Sequence, residues 1–513
     1  MIYLMQYDIS RKEGLLMNFQ QEDIHTEYKT AKNKIPNAMW ETISSFANTD
    51  GGNIYLGIKE IKKKGVPSEF IVSGIQNAQE MKNELLNQLK NKNKISSPVV
   101  SEENIKIHAV DGLEIIEISV PRAEFHNRPV FIKGDVKNTY IREGERDSKA
   151  TEDDLKAIIR DSSETDNYQL LDNFSIEDDL NIIDIQNYKA YLIEKSQEDI
   201  YSQLSTEEFL ENIGLFRKDR TDGAYKLCKA ALLLFGKYNS ITDIYHSFFL
   251  DFIVKDDATD VNYTDRLYTS DIPGHPNNIM SFYFAVLGKM SSLVQNSFEL
   301  DDDMSRKDSG EKLLRSLREA LVNSLVHADY QANFPTKISF YKNKVEFVNP
   351  GQVMVSLSQF FESSDSKTRN DLIFQTFIRS KLGEHTGSGG ATILNTSIKL
   401  KLNKPEIESI PSKTSLIIWK ESHEDFIEKL PSEWRETYML ISKQIIVAFS
   451  DLRHLYKNDY QGKKILKEMI EANIIEKTGE KRGTKYRISG SDPSVKQRMD
   501  QMIEILKRSV HNR

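Results

Sequence analysis

Cysteine is almost missing from this 513-residue sequence, where Cys228 stands alone. One thiol excludes an intramolecular disulfide framework and a multi-cysteine zinc site, and it fits a reducing, cytoplasmic compartment. Cys228 sits within Leu227-Cys-Lys-Ala-Ala-Leu-Leu-Leu-Phe235, the setting of a buried structural thiol rather than a nucleophile. Long apolar runs are missing too. None approaches the ~18 residues of a membrane span, and the opening Met-Ile-Tyr-Leu-Met-Gln-Tyr-Asp is too short and polar for a signal peptide. Positive charge is not in excess: 69 Lys and Arg against 77 Asp and Glu give a net charge of −8. Nucleic-acid binding would therefore rest on local patches. There are no repeats and no long low-complexity tract. The composition, 39% hydrophobic and 28% charged, is that of an ordinary globular chain, and the length suggests about three to four domains.

What is present begins with residues 318–330, Arg-Glu-Ala-Leu-Val-Asn-Ser-Leu-Val-His-Ala-Asp-Tyr. Glu319, Asn323 and His327 recur at i, i+4 and i+8, which on a helix stacks three polar groups along one face. Leu317, Leu321 and Leu325 supply an apolar face. A carboxylate one turn before a carboxamide suits a metal–triphosphate site, where the acid orients water and the amide oxygen binds Mg²⁺. Residues 344–348 then alternate like a strand and run into Asn349-Pro-Gly351. Later comes Gly387-Ser388-Gly389-Gly390 ahead of an apolar stretch. A glycine-rich turn opening a helix presents N–H groups and a positive helix end to phosphates.

This order resembles the GHKL ATP-binding fold. More closely, Glu319-Ala-Leu-Val-Asn323-Ser-Leu-Val-His327-Ala-Asp-Tyr330, Asn349-Pro-Gly351, Arg369-Asn370 and Gly387-Ser-Gly389 look like the divergent GHKL domain of bacterial proteins often labelled ATP-binding transcriptional regulators. The resemblance implies Glu319 as the water-activating acid and Asn323 as Mg²⁺ ligand. It implies His327 beside the nucleotide, Gly387, Ser388, Gly389 and Gly390 around the phosphates, and Arg369 near them. Residues 352–386 become a lid. Gly351 ends the first glycine turn, and Asn349 stands near the place where the wider class has an Asp reading the adenine amino group. An Asn oxygen can accept the same hydrogen bond.

Residues 36–47 read as a helix opened by Pro36, with Met39, Ile43 and Phe46 as its stripe. A turn over 48–52 leads to a strand over 53–58. Strands over 104–110 and 113–120 flank the hairpin signal Asp111-Gly112, another strand covers 136–142, and Thr151-Glu-Asp-Asp154 caps a helix. The blocks Glu22…Glu27-Tyr-Lys29, Phe46-Ala-Asn-Thr-Asp-Gly-Gly52, Leu56-Gly57 and Tyr140-Ile-Arg-Glu-Gly144 resemble the Schlafen/AlbA-like domain over residues 15–160. By the RNA-cleaving members of that family, Glu22, Glu27 and Glu60 would hold a divalent ion, Mg²⁺ or Mn²⁺. Three carboxylates around such an ion suffice to generate hydroxide, and Lys29 would stabilise the charge built up on the phosphate. Lys59 and the run Lys62-Lys63-Lys64 would attract a phosphate backbone.

Residues 161–305 read as a linker and connector without a catalytic constellation, and 306–425 as the GHKL-type α/β sandwich. Residues 430–490 suggest a winged helix. Between Gln461 and Ile488 stand eight Lys or Arg and four Asp or Glu. Lys463, Lys464 and Lys467 on a helix, with Lys481, Arg482 and Lys485 in a wing, are the layout of a winged DNA binder. Residues 491–513 read as a last helix, a packing or dimer arm consistent with a homo-oligomer. The fold class is thus α+β and multidomain. The expected function is an ATP-binding protein acting on DNA or RNA, a metal-dependent nuclease under GHKL control, with phage defence implied by the family. The alternative is an ATP-sensing, DNA-binding transcriptional regulator that cleaves nothing.

Overall fold

The computed structural model describes residues 22–61, 69–162, 168–196, 199–256, 262–298, 304–362, 367–382, 389–421, 427–428, 430–444, 446–472, 474–478 and 484–488. Gly387, Ser388, Lys481, Arg482, the Lys62–Lys64 run and the helix expected over 491–513 lie outside them. The chain is a mixed α+β, multidomain protein that divides into two compact units, residues 1–163 and 164–513.

In the first unit, a four-stranded sheet runs in the order Thr26–Lys29, Gly52–Leu56, Leu113–Val120, Ile105–Val110. The first pair is parallel and the others antiparallel. Asp111 and Gly112 join the last two strands with φ of 51° and 78°, the backbone that a two-residue hairpin of primed type requires. Helix Ala38–Asn48 buries Met39, Ile43 and Phe46 in one core with Ile54, Leu56, Ile116 and Ile118. Its last residue is a polar clamp: Asn48 donates to Val130 O (2.8 Å) and Tyr140 O (3.0 Å) and accepts from Val130 N (2.8 Å). A buried amide with all these bonds made fixes the loop and strand it touches.

Two expected strands are shorter than the sequence suggests. The strand over 53–58 breaks at Gly57, whose φ is +90°. The chain then leaves the sheet, and Ile58–Ile61 pairs with Glu69–Val72 in a separate hairpin. The strand over 136–142 begins as a 3₁₀ turn at Val136–Asn138, and only Tyr140–Glu143 is extended, paired with Arg146–Lys149. The helix after Thr151 is present as Glu152–Ser162, with Asp154 accepting from the Thr151 N–H and hydroxyl.

The second unit is built on a six-stranded sheet, ordered Asp265–Tyr268, Leu250–Val254, Thr336–Phe340, Lys344–Pro350, Lys413–Trp419, Glu406–Ile410. Leu250–Val254 and Thr336–Phe340 are parallel, and every other pair is antiparallel. Helices Ile279–Phe298, Met304–His327, Asp371–Arg379 and Gly389–Lys399 share one core with it, in which Leu317, Leu321 and Leu325 are fully buried. Strands Asp265–Tyr268 and Leu250–Val254 fall in the segment expected as a connector but are part of this sheet, and the core runs from Leu171 to Ile418 across the boundary expected at 305. Cys228 lies buried in it, and burial pushes its thiol pKa up.

Residues 430–488 have their own core, including Tyr438, Ile441, Leu466 and Met469. Helices Ser432–Gln444 and Asp459–Glu471 accompany a three-stranded sheet ordered Ile446–Ala448, Lys485–Ile488, Ile475–Thr478. Among the described residues no helix is long and apolar enough to cross a membrane.

Candidate functional site

The polar stripe expected over 318–330 forms the last turns of helix Met304–His327. The helix stops at His327 because its final carbonyls are claimed from outside. Asn370 Nδ2 donates to Val326 O and Ala328 O, both at 2.8 Å, and the Arg369 guanidinium donates to His327 O. Glu319, Asn323 and His327 all line one pocket, which encloses about 840 Å³ of space, part of it open to solvent. Eight residues of helix separate its two ends by about 12 Å.

At one end lie Gly389 and Gly390, the start of helix Gly389–Lys399. A Cβ on Gly389 would stand 2.4 Å from Glu319 Oε1 and 2.8 Å from Asn323 Nδ2, and one on Gly390 would stand 1.8 Å from Phe360 O. Only glycine permits this approach, so a helix N-terminus with bare backbone faces the carboxylate and the carboxamide. At the other end, Asn349 and Thr414 face each other across paired strands. Asn349 Nδ2 donates weakly to Pro350 O (3.3 Å), and Thr414 Oγ1 donates to Gly351 O (2.8 Å). Asn349 Oδ1 remains as an acceptor. Val353, Met354, Phe360, Ile407 and Leu416 form apolar walls between the ends.

His327 and Arg369 belong to the Asn349 end. Burial, helped by the Arg369 charge, lowers the His327 pKa to about 4, so the imidazole is neutral at pH 7. Its Nδ1 is buried without a hydrogen-bond partner. Arg369 is itself buried, at 7% exposure. Its guanidinium packs on Gly351, where φ is +89° and a Cβ would stand 2.6 Å from Nη1, and it donates to Gln352 O at 3.2 Å as well as to His327 O. Arg369 thus ties the helix end to the turn after Pro350, and it does not line the pocket. Among the described residues the cation that lines it is Lys367. Lys367, Gln352, Gln359 and Thr414 escaped the sequence reading. Only the register Asn349↔Thr414 brings Thr414 in, and no local pattern marks the others.

The first unit presents its expected acids differently. Glu27 Oε1 accepts from Lys29 Nζ at 2.9 Å and Oε2 from Arg142 Nη1 at 3.0 Å. Arg142, with only 1% of its side chain exposed, also binds Asp147 Oδ1 (2.9 Å) and Asp23 O (2.7 Å). Asp147 in turn accepts from Thr42 (2.5 Å) and Ser45 (2.7 Å) on the central helix. Glu22 Oε1 accepts from Tyr28 N at 3.1 Å. Burial raises the Glu22 pKa, the Tyr28 bond opposes this, and the charges of Glu27 and Glu60 raise it further. Glu22, Glu27, Glu60 and Lys29 are therefore electrostatic neighbours. They are not gathered as a metal site: among the described residues no three His, Cys, Asp or Glu side chains are grouped to hold an ion. The physical reason at Glu27 is that both oxygens are already spent on cations.

Of the expected DNA-binding lysines, Lys464 and Lys467 each pair with a glutamate one turn on, Glu468 (3.8 Å) and Glu471 (3.5 Å), and Lys463 lies over the Phe449 ring. Lys485 begins the last strand.

Comparison with known proteins bears on both units. Residues 22–151 match the family "Schlafen, AlbA_2", and residues 335–418 match "Putative ATP-dependent DNA helicase recG C-terminal". Residues 156–251 match a domain of unknown function, DUF8451. No curated protein matches the chain. Among solved structures, the DIP2311 protein from Corynebacterium diphtheriae is 12% identical, with a TM-score of 0.37, over 90% of this chain and 94% of that one. The N-terminal domain of a RecG-related protein from Nitrosomonas europaea is 19% identical, with a TM-score of 0.19, over 24% of this chain and 82% of that one. With a Schlafen, AlbA_2 segment in its first unit and a recG-type segment on the sheet of its second, the chain is a Schlafen/AlbA-like protein with an ATPase-like domain.

Proposed function

We propose that this protein binds ATP·Mg²⁺ in the pocket of its second unit and acts on nucleic acid through its first. The observation that carries the proposal is the convergence of Glu319, Asn323 and the bare helix start Gly389–Gly390 at one end of a pocket whose other end offers Asn349 and Thr414. An acceptor such as Asn349 Oδ1 suits the exocyclic amine of adenine. The helix N-terminus and Lys367 suit a triphosphate. Oxygen donors from Asn323 and Glu319 suit Mg²⁺, which would neutralise phosphate charge when bound. Glu319 then orients the water for hydrolysis, if ATP is turned over rather than sensed. Calorimetry with ATP and Mg²⁺ tests this reading. Micromolar binding is expected, and heat indistinguishable from dilution would refute it.

A nuclease is the second reading, favoured by one observation, the mutual proximity of Glu22, Glu27, Glu60 and Lys29. Because Glu27 is held by Lys29 and Arg142, these carboxylates do not fit an ion as they stand. The deciding assay offers tRNA, single-stranded RNA and duplex DNA, with Mg²⁺, Mn²⁺ and ATP varied. Cleavage lost in Glu22→Ala with Glu27→Ala, with binding kept, supports the nuclease. Binding without cleavage by the unaltered protein leaves an ATP-sensing regulator. In either case we read residues 430–488 as a winged helix, from its helices, its three-stranded sheet and its hairpin.

A further inference from the structure

Two loops of the first unit form a basic knob that the family resemblance did not point to. Residues 90–96, after helix Ala78–Leu89, read Lys-Asn-Lys-Asn-Lys-Ile-Ser, and residues 131–138 read Phe-Ile-Lys-Gly-Asp-Val-Lys-Asn. An isolated bridge between Ile95 and Ile132 joins them, and both isoleucines are buried. Ser96 N donates to Phe131 O (2.8 Å), and Phe131 N donates back to Ser96 Oγ (2.9 Å). Each loop is also tied within itself. Lys94 N and Ile95 N bond Asn91 O, Asn138 N bonds Asp135 O, and Lys137 N bonds Asp135 Oδ1. Lys90, Lys92, Lys133 and Lys137 are exposed and Lys94 partly so.

None of the five ammonium groups has an ion-pair or hydrogen-bond partner among the described residues, and Asp135 is the one acid in the two loops. Like charges held together by a rigid backbone repel one another, and a chain with net charge −8 has carboxylates to spare for neutralising them. It does so at Lys464 and Lys467. The side chains can swing, but the bridge holds the backbone that carries all five in one neighbourhood. A polyanion of regular charge spacing relieves that repulsion and releases its own counterions on contact.

We infer that the knob formed by Lys90, Lys92, Lys94, Lys133 and Lys137 is a contact surface for the phosphate backbone of a nucleic acid. This rests on the reading of the first unit as nucleic-acid-directed and names where the strand is held. The contact is to phosphate, so it carries affinity rather than sequence preference.

The test uses the full chain and fluorescein-labelled single-stranded RNA, single-stranded DNA and duplex DNA of one sequence, read by anisotropy over a series of salt concentrations. The variant carries Lys90→Ala, Lys92→Ala, Lys94→Ala, Lys133→Asn and Lys137→Ala. Asparagine is chosen at 133 because φ there is 58° and Asn tolerates that region. A second variant replaces all five with Arg. On single strands the neutral variant should lose at least about tenfold in affinity near 0.1 M salt, and its log–log salt slope should flatten by roughly 3. The Arg variant should keep both. The RNA and DNA arms show which polymer is held. If the neutral variant, with an unchanged thermal midpoint, binds with the affinity and slope of the unaltered protein, the knob is overturned and the wider reading stands. If the unaltered protein binds none of the three, both fall.

Discussion

Glu27 and Glu319 are both acids that the sequence marks for chemistry, and their surroundings differ. Glu27 is closed on both sides, with Lys29 on one oxygen and Arg142 on the other. Glu319 is on the wall of a hollow, with the bare backbone of Gly389 against it. A carboxylate whose two oxygens are held by fixed cations holds structure together, and one that lines a pocket beside a helix N-terminus is placed to meet a ligand. Family resemblance by itself treats the two alike, and the difference lies in what surrounds each.

Four kinds of substitution and one change of pH sharpen that contrast. The largest effect should come from Arg142→Ala, which empties the buried guanidinium site and leaves the partly buried Asp147 and Glu27 without their shared cation. A loss of about 3–5 kcal/mol in the stability of the first unit is expected by urea unfolding, and a loss below 1 kcal/mol would mean the network is not structural. Next, Asn323→Ala should weaken Mg²⁺-dependent ATP binding at least about a hundredfold by calorimetry, nearly 3 kcal/mol, while leaving the unfolding curve in place. Unchanged affinity would remove Asn323 from the site.

The third is a change of pH. Burial lowers the folded pKa of His327 to about 4, from the ordinary imidazole value of about 6.5. The unfolded chain therefore takes up the proton first, and the second unit should lose stability as pH falls from about 6.5 to about 4. After discounting for its partial exposure the loss is about 2 kcal/mol. It should shrink in His327→Gln, and an equal acid loss in both proteins would contradict the neutral imidazole. Fourth, Glu27→Gln keeps the shape but drops the charge between two cations, and a cost of about 1–2 kcal/mol is expected in the same unfolding assay. The smallest effect on stability is expected from Glu319→Gln, an isosteric change at a buried side chain, at about 1 kcal/mol or less. If ATP is hydrolysed, that variant should keep binding and lose turnover. A Glu319→Gln cost as large as that of Glu27→Gln would erase the contrast.

Much of the local structure was legible in the residues. The period of Met39, Ile43 and Phe46 marked a helix, Asp111-Gly112 marked a hairpin, and the leucines at 317, 321 and 325 marked the buried face opposite Glu319, Asn323 and His327. These signals are local, because helix period and turn chemistry act over a few residues. The break at Gly57 was less legible, since a strand pattern continues through it and only its φ of +90° ends the pairing. The continuity of the sheet across residue 305 was not legible at all. The pairing of Leu250–Val254 with Thr336–Phe340 joins segments far apart in the chain, and nothing in either segment names its partner.

The sequence by itself determined where the main helices and the 111–112 hairpin lie, where the polar stripe and the glycines fall, and which families the two units resemble. Tertiary structure decided how those residues are used. It set Arg369 against carbonyl oxygens and Gly351, while Lys367 lines the pocket. It closed Glu27 between cations, and it gathered five lysines of two distant loops onto one bridge. The reason is physical: charge and hydrogen-bonding capacity belong to a residue type, but whether they are spent or available depends on which other groups the fold brings within about 3 Å.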